Sequence, residues 1–413
     1  MSTSAATVDV GEIPGDQSLR FLAEGYEFGR RRFDRLGTDA FRTRLLARPV
    51  TFLRGADAAE FFYGTDRFTR VGAVPRSVLH SLQDEGSVQT LDGDAHRRRR
   101  SVFLDVLGDR RRADLGAAVH AEWAMRWAEW QDSSEPVSLI DASGQVLTGA
   151  ALDWVGVDSS PADRRRRTEE FLAMIDGAGS FGPRNIRGRT LRLRTERWAI
   201  DVVRERRRHA ETADTVLDRI LQHREDDEPL DDRTAAVELL NLLRPIVAIS
   251  RFVGFAGLAM HLHPQWRDRL ARDDTALLPF TEEVRRTAPF FPAIGGRARG
   301  RHTWRGHTFE NGEWVMVDFF ATHRDERQWD HPDRFDPSRF EPHPPAGLVP
   351  QGAGSMLDGH RCPGEPATID LLAVLVRALA HSAWTVPEQD LRVDLRRLPA
   401  LPGRRGMLIL PTP

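Results

Sequence analysis

Between Asp231 and His261 runs the longest well-patterned segment of the chain, and its apolar residues fall on several faces instead of a single stripe. A helix that is apolar all round belongs in the middle of a protein, so this segment is expected at the centre of a mainly α fold. Its length approaches that of a membrane span. Asn241, Arg244, Pro245 and Arg251 interrupt it, which favours a buried soluble helix over a membrane span. Proline removes one helical hydrogen bond and bends or opens the turn around it, and a buried arginine demands an anion. That anion is either an internal glutamate that merely holds the packing, or the carboxylate head of a ligand whose hydrocarbon body fills an apolar cavity. Each methylene so desolvated contributes roughly 0.8 kcal/mol.

The second constraint is Cys362, the one cysteine in 413 residues, which excludes an intrachain disulfide. It stands in Gly359-His360-Arg361-Cys362-Pro363-Gly364-Glu365, a run of turn formers and cations. Pro366 to Ala380 follows with the apolar stripe of a helix opened by proline. A thiolate held just before a helix is stabilised by helix-end and backbone amides. Three uses are open: a buried apolar cysteine, a nucleophile with His360 as its nearest histidine in sequence, or a single axial metal ligand. Structural zinc and iron-sulfur clusters ask for more cysteines than the chain has. Haem needs only one.

Other segments frame these two. Val50 to Leu53 is a short strand, Ala58 to Phe62 a short helix, and Gln83 to Gly86 a turn. A basic helix carries His96 and Arg97 to Arg100; His96 and Arg100 share a face at i, i+4, with Arg99 beside it. Such cations suit paired carboxylates of a cofactor, or form an exposed face. Helical spacing recurs over Ala118 to Trp130, Ile140 to Trp154, Pro161 to Ile175 and the charged stretch Leu191 to His209, the last with a solvated face. Glu283 and Arg286 share a helix face, and Asn311-Gly312 between two strand-like pieces is a hairpin signal. Formal net charge is −2 and all 59 basic residues are arginine, so bulk charge announces no nucleic-acid partner. A lone cysteine suits a reducing cytoplasm. Residues 1–20 are expected as a short lead or loose tail, and 21–413 as one domain, with no linker or repeat dividing it.

The order Glu283-Val284-Arg285-Arg286, then Pro332 to Phe335, then the Cys362 loop, resembles the cytochrome P450 superfamily. More narrowly the chain resembles the bacterial fatty-acid peroxygenase branch. The matching stretches are Asp66 to Arg70, Leu91 to His96, Phe181 to Arg184, Leu242 to Ser250, Gln351 to Gly354 and Gly359 to Glu365. The resemblance implies a mainly α P450 fold with a long central helix and small β-sheets. It implies haem b with Cys362 as axial thiolate, contacts to the haem from His96, Arg99 or Arg100, and His360, and structural support from Glu283, Arg286 and Arg339. Arg244-Pro245 stands where ordinary P450 monooxygenases place an acid or amide and a threonine for proton delivery. The resemblance therefore implies that hydrogen peroxide is the oxidant, that no redox partner is obligatory, and that Arg244 binds a free fatty acid whose carboxylate handles the proton. Gln89 points to α- or β-hydroxylation, since decarboxylating relatives often carry histidine there. Ser355 replaces the common phenylalanine seven residues before the cysteine, and Gln83 replaces a pocket phenylalanine.

Overall fold

The computed structural model describes residues 7–64, 66–73, 86–209, 214–342, 345 and 347–412. Gln83 lies outside them. The expected central segment forms two helices in line, Asp232–Ala248 and Ser250–Leu262, separated at Ile249. Pro245 sits inside the first and supplies no N–H to the Asn241 carbonyl. The ladder runs on until the Ile249 N–H turns to the Ile246 carbonyl, a tightened i−3 contact at 3.1 Å. Leu239, Leu243, Val247, Val253 and Ala256 are fully buried, because helices Leu139–Val155, Pro161–Gly177, Pro183–Arg208, Leu277–Thr287 and Glu365–His381 surround the pair. This is the one stretch among the described residues long and apolar enough to cross a membrane, and the body of the protein encloses it.

The charged helix begins earlier than its charge pattern suggests, at Pro183, and carries more than a solvated face. Asn185, Gly188, Arg192 and Thr195 turn inward. Gly188 allows close approach: a Cβ there would lie 2.8 Å from the Ala173 carbonyl oxygen of the neighbouring helix.

Beside the helical body lies a six-stranded sheet in the order Val10–Asp16, Ala40–Leu45, Arg48–Leu53, Trp314–Asp318, Ala293–Ala298, Phe68–Thr69. The first pair and the Arg48–Leu53/Trp314–Asp318 pair are parallel; the others are antiparallel. Part of the N-terminal lead is thus an edge strand of this sheet. Phe41 and Phe52 face each other in register and stack at 4.9 Å between centroids. Asn311-Gly312 does not close a hairpin. The strand before it, His307–Phe309, pairs with His302–Trp304 across Arg305-Gly306, and the strand after it joins the large sheet. Among the described residues the remaining sheets have two or three short strands. The architecture is mainly α, with a long interrupted central helix and small sheets, as expected.

Candidate active site

The cysteine loop is fastened at both ends. The Cys362 N–H donates to the Gln351 carbonyl at 3.1 Å, and the Glu365 N–H donates to the Cys362 carbonyl at 3.3 Å as helix Glu365–His381 begins. Gly352, at φ +103°, lets the loop pass the Tyr63 ring; a Cβ would sit 2.7 Å from it. Cys362 Sγ accepts from the Gly364 N–H and from Gln351 Nε2, the latter at 3.6 Å. Burial pushes the thiol up, while these two donors and Arg100 pull it back. His360 turns away from a dyad with the sulfur: its ring lies against His96, centroids 4.1 Å apart, and its Nε2 is 3.6 Å from Asp92 Oδ1.

No group of three or more His, Cys, Asp or Glu side chains suited to a metal ion occurs among the described residues. A lone cysteine thiolate suits haem, which needs only one protein thiolate. Basic side-chain types gather beside the cysteine loop. His96, Arg100 and His360 share one region with Arg70, which sequence reasoning named only as the end of the stretch Asp66 to Arg70. Arg70 packs over the Phe62 and Tyr63 rings, donates to the Gly295 carbonyl at 2.9 Å, and acts electrostatically on His360. Burial, then His360 and Arg100, push the His96 imidazole down to about 3, and burial pushes Arg100 down to about 10. Asp92 acts on both imidazoles and Asp358 on Arg100. Both imidazoles are thereby uncharged hydrogen-bonding groups and Arg70 and Arg100 carry the positive charge, a set that fits an anionic cofactor edge. Arg100 also braces the loop, donating to the Met356 carbonyl at 2.8 Å from Nε and to that of Arg361.

Arg99 stands apart from that cluster. Its guanidinium is held by Glu225 at 2.6 and 2.7 Å and by Glu238 at 2.8 Å, so two protein carboxylates take the charge expected to face the cofactor. Glu238 leads to the central helix. Its Oε1 also accepts the Val88 N–H at 3.0 Å, docking the short turn Val88–Thr90 that carries half-buried Gln89. Its Oε2 accepts from Asn241 Nδ2 at 2.8 Å, and Asn241 Oδ1 accepts from Arg244 Nη2 at 3.0 Å. Glu238, Asn241 and Arg244 succeed one another at i, i+3 on one helix face. Arg244 is 4% exposed. Burial pushes the Glu238 carboxyl up against the pull of Asn241 and Arg99. Sequence reasoning missed Glu238 and took Asn241 only as a polar interruption; their spacing before Arg244, polar residues within an apolar helix, was the available signal.

Glu283 and Arg286 form a fully buried pair at 2.6 Å on helix Leu277–Thr287. Arg286 donates to the carbonyls of His323, Pro332 and Arg334, while Glu283 accepts the Asp336 N–H at 2.8 Å and Arg339 Nε at 3.3 Å. The pair staples that helix to the irregular chain preceding the cysteine loop, and Arg339 joins it.

A family model described as cytochrome P450 matches residues 267–406. A putative cytochrome P450 120 from Synechocystis sp. is 24% identical, covering 92% of each chain. Among solved structures, a variant of cytochrome P450SP alpha (CYP152B1) is 35% identical with a TM-score of 0.92, covering 96% of this chain and 98% of that one. Cytochrome P450EX alpha (CYP152N1) with myristic acid is 35% identical at a TM-score of 0.91, and a cytochrome P450 OleT variant in complex with arachidonic acid is 30% identical at 0.92; each match covers 97% of this chain and 98% of the other. With a lone loop cysteine, Arg70 and Arg100 among the basic side chains beside it and an arginine inside the central helix, this chain belongs to the cytochrome P450 superfamily, in the CYP152 branch of fatty-acid peroxygenases and decarboxylases.

Proposed function

We propose that the protein uses hydrogen peroxide to hydroxylate free long-chain fatty acids at the α or β carbon, with Arg244 holding the substrate carboxylate. The observation that carries this reading is Arg244 itself, buried inside the central helix and oriented by Asn241. Bound haem, ligated through Cys362, supplies cleavage of the peroxide O–O bond and oxygen transfer to carbon. His96, Arg100 and His360 would hold its carboxylates.

The chain's own residues do the rest. Arg244 pairs with the carboxylate and so places the first carbons of the substrate near the reacting centre. Pro245 shapes the backbone beside it and, having neither N–H nor hydroxyl, relays no proton. The substrate carboxylate, not a protein group, takes and returns the peroxide proton. In hydroxylation one C–H and the O–O bond break, a C–O bond forms, and water is released. The reaction needs no electrons beyond those of peroxide, hence no reductase. Similarity to OleT supports a second outcome, loss of the carboxylate as carbon dioxide to leave a terminal alkene and two waters. Gln89, on the turn docked to Glu238, favours hydroxylation over that outcome.

The test is purified haem-loaded protein with a free fatty acid and hydrogen peroxide, no reductase present, and products identified by mass spectrometry. Hydroxy acids are expected; products that appear only with a reductase and oxygen would overturn the reading. Arg244→Ala is expected to keep haem and to lose about a hundredfold in turnover. Gln89→His is expected to raise the alkene share of products.

A further inference from the structure

Gln351 lies against the cysteine sulfur with its side-chain amide fixed in one orientation. Its Nε2 is 3.6 Å from Cys362 Sγ and 3.0 Å from Thr368 Oγ1, while its Oε1 accepts from Arg285 Nη2 at 2.9 Å. A glutamine amide can be placed in either of two flips unless its neighbours discriminate between them. Here they do. Arginine only donates, so the amide oxygen faces Arg285 and both N–H groups are left for sulfur and threonine. Thr368 agrees, since its hydroxyl donates to the Gly364 carbonyl at 3.0 Å and turns a lone pair to the amide.

Arg285 is itself held rigidly. It is 2% exposed, pairs through Nη1 with Glu282 and through Nη2 with Glu365, and Glu365 is held in turn by Arg361 Nε at 2.7 Å. Two carboxylates account for its charge. The bond to the neutral Gln351 oxygen adds little to that balance; its effect is to aim the other end of the amide at sulfur.

We infer that Arg285 is a positioning residue for the thiolate: by locking the Gln351 amide it keeps an N–H donating to Cys362 Sγ, and so limits how strongly the sulfur pushes electrons onto iron. Hydrogen bonds to a ligating sulfur set the reduction potential of the metal they serve. This inference rests on the haem-thiolate reading given above.

The experiment uses haem-loaded Gln351→Met, Arg285→Met and the double variant, without substrate. It measures the ferric-to-ferrous equilibrium and the Soret position of the ferrous carbon monoxide complex. Gln351→Met is expected to shift the equilibrium about tenfold toward ferric iron, the scale of one hydrogen bond to a charged acceptor, and to move the band to longer wavelength. Arg285→Met should shift both in the same direction, and the double variant no further than Gln351→Met alone. Additive shifts would mean that Arg285 acts by its own charge and would overturn the inference. So would wild-type values in Gln351→Met. Should Arg285→Met fail to fold, Gln351→Glu decides: its carboxylate still accepts from Arg285 but offers sulfur no N–H, so wild-type values there also overturn the inference. A wild-type protein without the spectrum of thiolate-ligated haem would sink the haem reading itself, a different failure from an unshifted variant.

Discussion

Asn241 carries the orientation of Arg244, since its amide oxygen meets the guanidinium while its nitrogen meets Glu238. Replacing it with leucine leaves Arg244 without that guide and buried Glu238 short of a donor. Asn241→Leu is expected to raise the KM for fatty acids about tenfold, the worth of one charge-assisted hydrogen bond, with haem content unchanged; steady-state kinetics beside a haem assay checks both. Cys362 and Arg244 were legible in the sequence because each is a chemical oddity in its surroundings: the only cysteine, and a charge in an apolar helix. Arg99 and Arg100 were not separable by sequence. In a run of four arginines, which one turns to Glu238 and which to the cysteine loop depends on the roll of a helix against partners more than a hundred residues away.

At the scale of elements, helices were readable and strand pairing was not. Helical spacing is local, and Ile140 to Trp154 or Pro161 to Ile175 lie within a residue or two of the observed helices. The Asn311-Gly312 signal failed because the strand after it finds longer partners in the large sheet. The end of that strand carries a testable charge. Asp318 caps helix Phe319–Thr322, accepting the Ala321 N–H at 2.8 Å, and Gly29 leaves room for it, since a Cβ there would lie 1.8 Å from its Oδ2. Burial pushes its carboxyl up to about 7, against the pull of that N–H and of Arg54 and Arg324. The folded protein keeps a proton that the unfolded chain releases near 3.8. Its contribution is therefore complete below the unfolded value and is lost as pH rises through about 7, amounting to about 4 kcal/mol over that window. Asp318→Asn is expected to melt near the wild type at about pH 4 and increasingly above it toward about pH 8. A difference in Tm that stays constant with pH would refute this.

For the molecule as a whole, the staple of Glu283, Arg286 and Arg339 is costly to break, because removal of one partner strands the other without solvent. Glu283→Ala is expected to cost about 3–5 kcal/mol and to yield protein that retains little haem, measured by thermal unfolding and haem content. That staple was visible in the sequence as a glutamate and an arginine three apart, with Arg339 added by resemblance, but its reach to the carbonyls of His323, Pro332 and Arg334 was not, since backbone carbonyls leave no mark in side-chain pattern. The large sheet has a consequence of another kind. Strand Arg48–Leu53 takes its second neighbour from Trp314–Asp318, in a register that sets Thr51 beside Val315. A ribosome adding 5–20 residues per second needs roughly 13 to 50 seconds to cover that interval. Throughout it, the nascent chain carries an unmated ladder edge of Thr51, Phe52 and Leu53, available to any other newborn copy. Slower, cooler expression or a chaperone that shades this edge is accordingly expected to raise soluble yield more than any change around the iron.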